Sequence, residues 1–229
     1  MLLPPPAELA SALATAYSGI TGIVGDLDDP GLLLPSGCRG WSVADLLFHL
    51  TLDAQRALVA FASPADGVPD VDFVSYWRGF PGVDDPEDAL AHGQWVRRSA
   101  AAFRRPSGIV GRWAETATAA AHAAATADPA GRISTQGHVL TVPDFVATLI
   151  AEAVIHHFDL IVSLPGAPEP APEPVSVTLS TVAGLAGPEG LPDRWTHREA
   201  ILKAAGREAL TAADRRLLGS RAEQYPLIR

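Results

Sequence analysis

The sequence predicts an all-α protein: a bundle of four or five main helices followed by a short helical extension. Three observations carry this. Apolar residues recur at spacings of three and four over long segments, capping signatures open those segments, and only one short stretch favours strand. The 229-residue chain is 48% hydrophobic and 19% charged, ample for a packed core and unlike a disordered composition.

The first helix is expected from about Ala7 to Ile23, where Leu9, Leu13, Tyr17, Ile20 and Val24 share a face. Pro4 to Pro6 stop it extending backwards. After a loop rich in Gly, Pro and Asp, Ser42-Val43-Ala44-Asp45 reads as a capping box, opening a helix to about Ala62. A polar loop follows over 63–85. Asp85 as cap and Pro86 at the first helical position then start a helix to about Arg105, and Pro106 kinks or restarts it. An Ala-rich segment carries on to about Thr126.

Arg132 to Val142 is the exception. Ile133, Thr135, Val139 and Thr141 favour strand and Gly137 separates them, so a small hairpin is expected there. Thr141 to Asp144 repeats the capping logic and opens the last bundle helix, which runs to about Leu164. Residues 165–174 hold five prolines, read as a stiff extended linker. Three short helical candidates follow, near 175–185, 196–206 and 211–222, and are expected to pack back on the bundle. The implied organisation is a bundle over 1–164, a linker over 165–174 and an extension over 175–229.

Charge narrows the function. The net charge of −9 argues against nucleic acid, since phosphate binding needs clustered Lys and Arg, and Lys203 is the only lysine. No apolar stretch reaches the roughly 20 residues that span a bilayer. The N-terminus lacks the pattern of a signal peptide. The lone Cys38 cannot form an intrachain disulfide. A soluble cytoplasmic protein is expected, with no membrane or nucleic-acid partner.

The chemistry centres on Glu152 and His156. Four residues apart in an apolar helix, they share one face, one turn apart. A helix apolar nearly all round is buried, and a buried Glu must be paired, protonated or bound to a cation. His49, in the apolar segment Leu46 to Leu50, is the third candidate. One Glu and two His are the ingredients of an open metal site. Equally, Glu152 could hydrogen-bond an Arg or His in the core without metal.

Asp53, one turn after His49, is the candidate catalytic base. It could instead orient His49, act as a fourth ligand, or be a plain surface carboxylate. His157 points about 100° away from His156 and cannot easily share its metal. Asp159 could receive the second ring N–H of His156 or pair with an Arg. His138 would lie at the mouth of the site or on the surface. His92, His122 and His197 show no partner pattern. Cys38 has no identifiable base and is read as a bystander.

Two segments resemble a known family. Gly40-Trp41-Ser42-Val43-Ala44-Asp45-Leu46-Leu47-Phe48-His49-Leu50 is similar to the "GW-x-x-x-D-L-x-x-H-L" segment of mycothiol-dependent maleylpyruvate isomerases and their DinB-like relatives. Glu152 to Leu160 resembles the same family's "E-x-x-x-H-H-x-D-L" segment. Over residues 7–164 the resemblance implies a DinB-like four-helix bundle. It implies a divalent metal, typically zinc, on His49, Glu152 and His156, with mycothiol or a related low-molecular-weight thiol as cosubstrate.

The implied activity is that of an isomerase or S-transferase acting on a small electrophile. The isomerases carry a C-terminal α/β domain, where this chain has a short helical tail. The stretches Gly206 to Thr211 and Tyr225 to Ile228 resemble the tail of actinobacterial relatives and name no chemistry. Two other readings stand beside this one. A metal-activated hydrolase would use the metal to activate water, with Asp53 as base. A non-catalytic bundle would bind a structural metal or a small ligand.

Overall fold

A computed structural model describes residues 3–78 and 86–228. The bundle consists of α1 (Pro6–Gly25), α3 (Val43–Phe61), α5 (Gly108–Thr126) and α6 (Val142–Ile161). Each packs against two of the others: α1 on α5 and α6, α3 on α5 and α6. A single turn, α2 (Asp29–Leu32), leads into α3, and α4 (Pro86–Ala100) lies against α3. The fold is all-α with one small hairpin, as the sequence predicts.

The apolar face of α1 explains its place. Leu9, Leu13 and Ile20 are fully buried, as are Leu46 and Leu47 on α3 and Ile150 on α6. Removing such a side chain from water stabilises the fold by roughly 2 kcal/mol. Trp113 of α5 is fully buried too. Its ring meets Tyr17 edge-on at 5.2 Å and its indole N–H donates to Thr21 Oγ1 at 3.0 Å.

The capping box at Ser42 is present: the Asp45 amide donates to Ser42 Oγ, and the Ser42 amide donates back to the Asp45 carboxylate. This pins the start of α3 and sets the rotation at which His49 and Asp53 emerge. The expected cap at Asp85 lies outside the described residues. The helix after Pro86 ends at Ala100 rather than Arg105. Turns replace it, because the residue before Pro106 is disfavoured in helix and Phe103 turns inward, meeting Phe48 edge-on at 6.2 Å.

The hairpin joins β1 (Arg132–Thr135) to β2 (His138–Thr141), with Ile133 opposite Leu140. Gln136 and Gly137 both have positive φ, the conformation a two-residue primed turn requires. Two strands alone would be marginal. Here Ser134 N–H donates to Ser63 O, Ala65 N–H donates to Arg132 O, and Asp70 N–H donates to Val139 O, so the loop after α3 binds the sheet edge.

Between Phe145 and Leu160, α6 is buried at every position except Glu152, which is partly exposed. α7 (Pro172–Ala186) makes this possible by covering α6 and α1 from outside. The extended proline run is thus shorter than the sequence suggests. Pro172 and Pro174 sit in the first turn of α7, where a missing N–H costs nothing. α8 (His197–Ala204) packs on α7, and α9 (Ala212–Leu218) follows. Both open with capping boxes, Thr196 with Glu199 and Thr211 with Asp214.

Candidate metal centre

α3 and α6 meet where His49 faces Glu152. His49 Nε2 lies 3.1 Å and His156 Nε2 3.2 Å from the same oxygen, Glu152 Oε1. The two imidazoles stand edge-on, 5.0 Å between centroids. All three donor atoms lie within 4.8 Å of one another, close enough for one ion to touch them all.

Protons make this arrangement lopsided. Two imidazole nitrogens can both bond one carboxylate oxygen only if both carry a proton. A cation resolves the crowding, since then three lone pairs face it. A second observation fits a cation as well. Asp53 Oδ2 is buried 3.2 Å from His49 Nε2, yet has no hydrogen-bond partner among the described residues. Its other oxygen accepts from Arg56 Nη1 at 3.1 Å. Imidazole and carboxylate together suit zinc, with fewer than four protein ligands leaving a position open.

Without a cation, the cluster's charges are met by its own protons. Burial pushes the Asp53 carboxyl up to about 6, against the pull of His49 and helped by Glu152. Burial acts to raise Glu152 too, but the charges and hydrogen bonds of His156 and His49 hold it well below the usual range. His156 is the mirror case. Burial would lower it, and Glu152, Asp159 and Cys38 raise it well above an ordinary imidazole.

The far side of His156 is fully engaged. Nδ1 lies 2.9 Å from Asp159 Oδ2. Asp159 is held to about 2, with burial opposed by His156 and Arg207. An ionised carboxylate only accepts, so Nδ1 carries a proton, and Nε2 is the ring nitrogen that a cation would take in place of a proton. Arg207 donates to Asp159 through Nε at 3.2 Å and Nη2 at 3.0 Å.

Cys38, read from sequence as a bystander, is part of this cluster. Its Sγ donates to Asp159 Oδ2 at 3.4 Å and lies 3.7 Å from His156 Nδ1. Nothing in the sequence near Cys38 could show this, because its partners are 118 and 121 positions away. Arg207 was missed for the same reason.

The remaining candidates lie apart from the donor set. His157 faces α1 at Gly19, where a Cβ would come within 3.2 Å of its ring, and Nε2 donates to Pro168 O at 3.0 Å. His138 pairs with Asp70 at 2.8 Å. His92 stands 6.0 Å from the His49 ring and beside Trp41 and Trp95, and burial lowers its pKa. His122 and His197 are exposed.

A cavity of about 30 Å³ adjoins the centre, lined by Asp53, Arg56, Tyr76, Gln136, Thr148 and Glu152. It has room for a water or two. Gln136 Nε2 donates to the Tyr76 hydroxyl at 2.9 Å across its mouth. A larger depression of about 670 Å³, between the start of α3 and α4, is lined by none of His49, Asp53, Glu152 and His156.

Fold and site together define a helical bundle with an interior His–Glu–His donor set. The family model of the mycothiol maleylpyruvate isomerase N-terminal domain matches residues 13–161, and the chain belongs to that family. No curated protein and no solved structure matches it. The matched span includes all four bundle helices except the first turns of α1 and stops before α7. No described helix is long and apolar enough to cross a membrane.

Proposed function

We propose that this chain is a divalent-metal-dependent enzyme that uses a low-molecular-weight thiol, of the mycothiol type, to transfer to or isomerise a small electrophile. The observation that carries the reading is the convergence of His49, Glu152 and His156 beside Asp53 Oδ2, which accepts no hydrogen bond among the described residues. His49 and His156 would offer Nε2 and Glu152 a carboxylate oxygen. A zinc ion there would acidify a thiol or water held at its open position.

The chain's own residues have separable roles. Asp159 keeps the proton of His156 on Nδ1, leaving Nε2 as a donor. Asp53 Oδ2, 3.2 Å from His49 Nε2, would be the nearest carboxylate to take up a proton released there, while Arg56 holds its other oxygen in place. Tyr76 and Gln136 wall the cavity and limit how much water reaches it. The family name supports mycothiol as the thiol. Because α7 to α9 lie outside the matched span, maleylpyruvate is not carried over as the electrophile. The reading puts the chain in the cytoplasm, where such thiols stay reduced.

A second reading rests on Asp53 alone. A carboxylate buried 3.2 Å from a candidate ligand would also suit activation of water, making the chain a hydrolase. Thermal melting of zinc-loaded protein with millimolar mycothiol separates the two. A thiol enzyme rises by several degrees, since a ligand that binds only the native state stabilises it. No rise with zinc bound favours the hydrolase.

A further inference from the structure

Among the described residues of the extension, Arg207 reaches the centre. α8 ends at Ala204, and Gly206 then turns the chain with φ +68. This turn is clasped by segment 225–228: Leu227 and Ile228 N–H both donate to Ala204 O, at 2.8 and 3.0 Å. A Cβ at Gly206 would come within 3.1 Å of Pro226, so turn and segment are fitted closely. Arg207 emerges from the turn, its amide bonded to Leu202 O at 2.8 Å and its Nη1 donating to Ala205 O at 2.8 Å. The guanidinium is therefore fixed by its own backbone before it meets Asp159.

Asp159 is held from the opposite side as well. Gly37 N–H donates to Asp159 O at 2.8 Å, and a Cβ on Gly37 would stand 2.4 Å from Asp159 Oδ1. With Cys38 and His156 also bonded to it, the carboxylate has one available pose. It is 1% exposed, and a buried carboxylate so bounded can do little except orient the ring it touches.

We propose that Arg207 is a positioning residue of the metal centre: through Asp159 it fixes the ring of His156, and the turn at Gly206 with segment 225–228 aims it. The extension, which the family match does not cover, thus sets the affinity of the site. This rests on the reading of His49, Glu152 and His156 as ligands. An arginine suits the role because its planar fork grips a carboxylate with two parallel donors, which an ammonium cannot reproduce. Outer partners of ligating histidines commonly change metal affinity by about 10–100-fold.

The test is a chelator competition that measures zinc affinity in the full chain, with cobalt absorption as a second readout of ligand geometry. Arg207→Ala is expected to weaken zinc about 10–100-fold and alter the cobalt spectrum. Arg207→Lys should recover only part of the affinity, and it serves if the alanine variant does not fold. Arg221→Ala removes an extension arginine that pairs with Glu189 away from the centre, and should leave affinity unchanged. Wild-type affinity in Arg207→Ala, or an equal loss in Arg221→Ala, overturns the inference while the metal reading stands. A wild-type chain that binds no zinc overturns both.

Discussion

Two buried acidic clusters in this molecule are built on opposite plans. In the extension, Asp214 is 1% exposed and saturated. It accepts from Lys203 Nζ at 3.1 Å, Trp195 Nε1 at 2.7 Å, Arg194, and the Thr211 amide and hydroxyl. In the bundle, Glu152 and Asp53 share two histidines and one half-exposed arginine, and Asp53 Oδ2, 3.2 Å from His49 Nε2, accepts no hydrogen bond among the described residues. A cluster that serves only folding closes its own hydrogen bonds. A cluster short of positive charge and hydrogen-bond donors is one that a cation would complete. The histidine between the two carboxylates makes the point at one residue: Nδ1 of His156 is closed by Asp159, while Nε2 faces the crowded Glu152 oxygen.

The strongest way to break this contrast is to remove each carboxylate in turn. Asp214→Ala leaves Lys203, the only lysine and 3% exposed, without its buried partner. It is expected to lose about 3–5 kcal/mol in urea unfolding. Zinc affinity of the molecules that remain folded should not change. Glu152→Ala should do the reverse. Zinc affinity falls at least about a hundredfold, beyond the usual effect of an outer partner, and melting of the metal-free chain hardly moves. If Asp214→Ala abolishes zinc binding, or Glu152→Ala unfolds the metal-free chain, the two clusters are not distinct in kind.

The smallest expected effect sharpens the contrast through pH. Asp53 has a raised pKa, near 6, so in chelator-treated protein it contributes stability below about pH 4 that is lost as pH rises through 6. Asp214 is lowered despite its burial, by its bonds to Thr211, Trp195 and Lys203, so its contribution is present at neutral pH and lost in acid. Melting curves of metal-free wild type and Asp53→Asn between pH 4 and 8 should converge at low pH and separate above 6, with the variant the more stable. Parallel curves would mean that Asp53 is already satisfied.

Much of the fold was legible because its signals are local. Ser42 with Asp45, and Gly137 between two β-favouring runs, each act within a few residues. The spacing of Glu152 and His156 is likewise a property of one helix. His49 could be nominated by type, but its meeting with Glu152 depends on how α3 packs against α6, across 103 positions. Arg207 and Cys38 were illegible for a sharper reason. Neither sits in a periodic pattern, and each reaches Asp159 from an irregular turn set by Gly206 or Gly37. The proline run misled because proline reads as linker, although two of the five prolines begin a helix. The early end of α4 was hidden because Phe103 turns toward a neighbour on another helix.

The central claim is that the bundle cluster is a metal site and not a self-satisfied core. Its most direct test is zinc titration of chelator-stripped protein prepared without a histidine tag, with bound metal counted by elemental analysis after gel filtration. One equivalent per chain, absent in Glu152→Ala, is the expected result. Less than about a tenth of an equivalent in the wild type at saturating zinc, or equal binding in the variant, would contradict it.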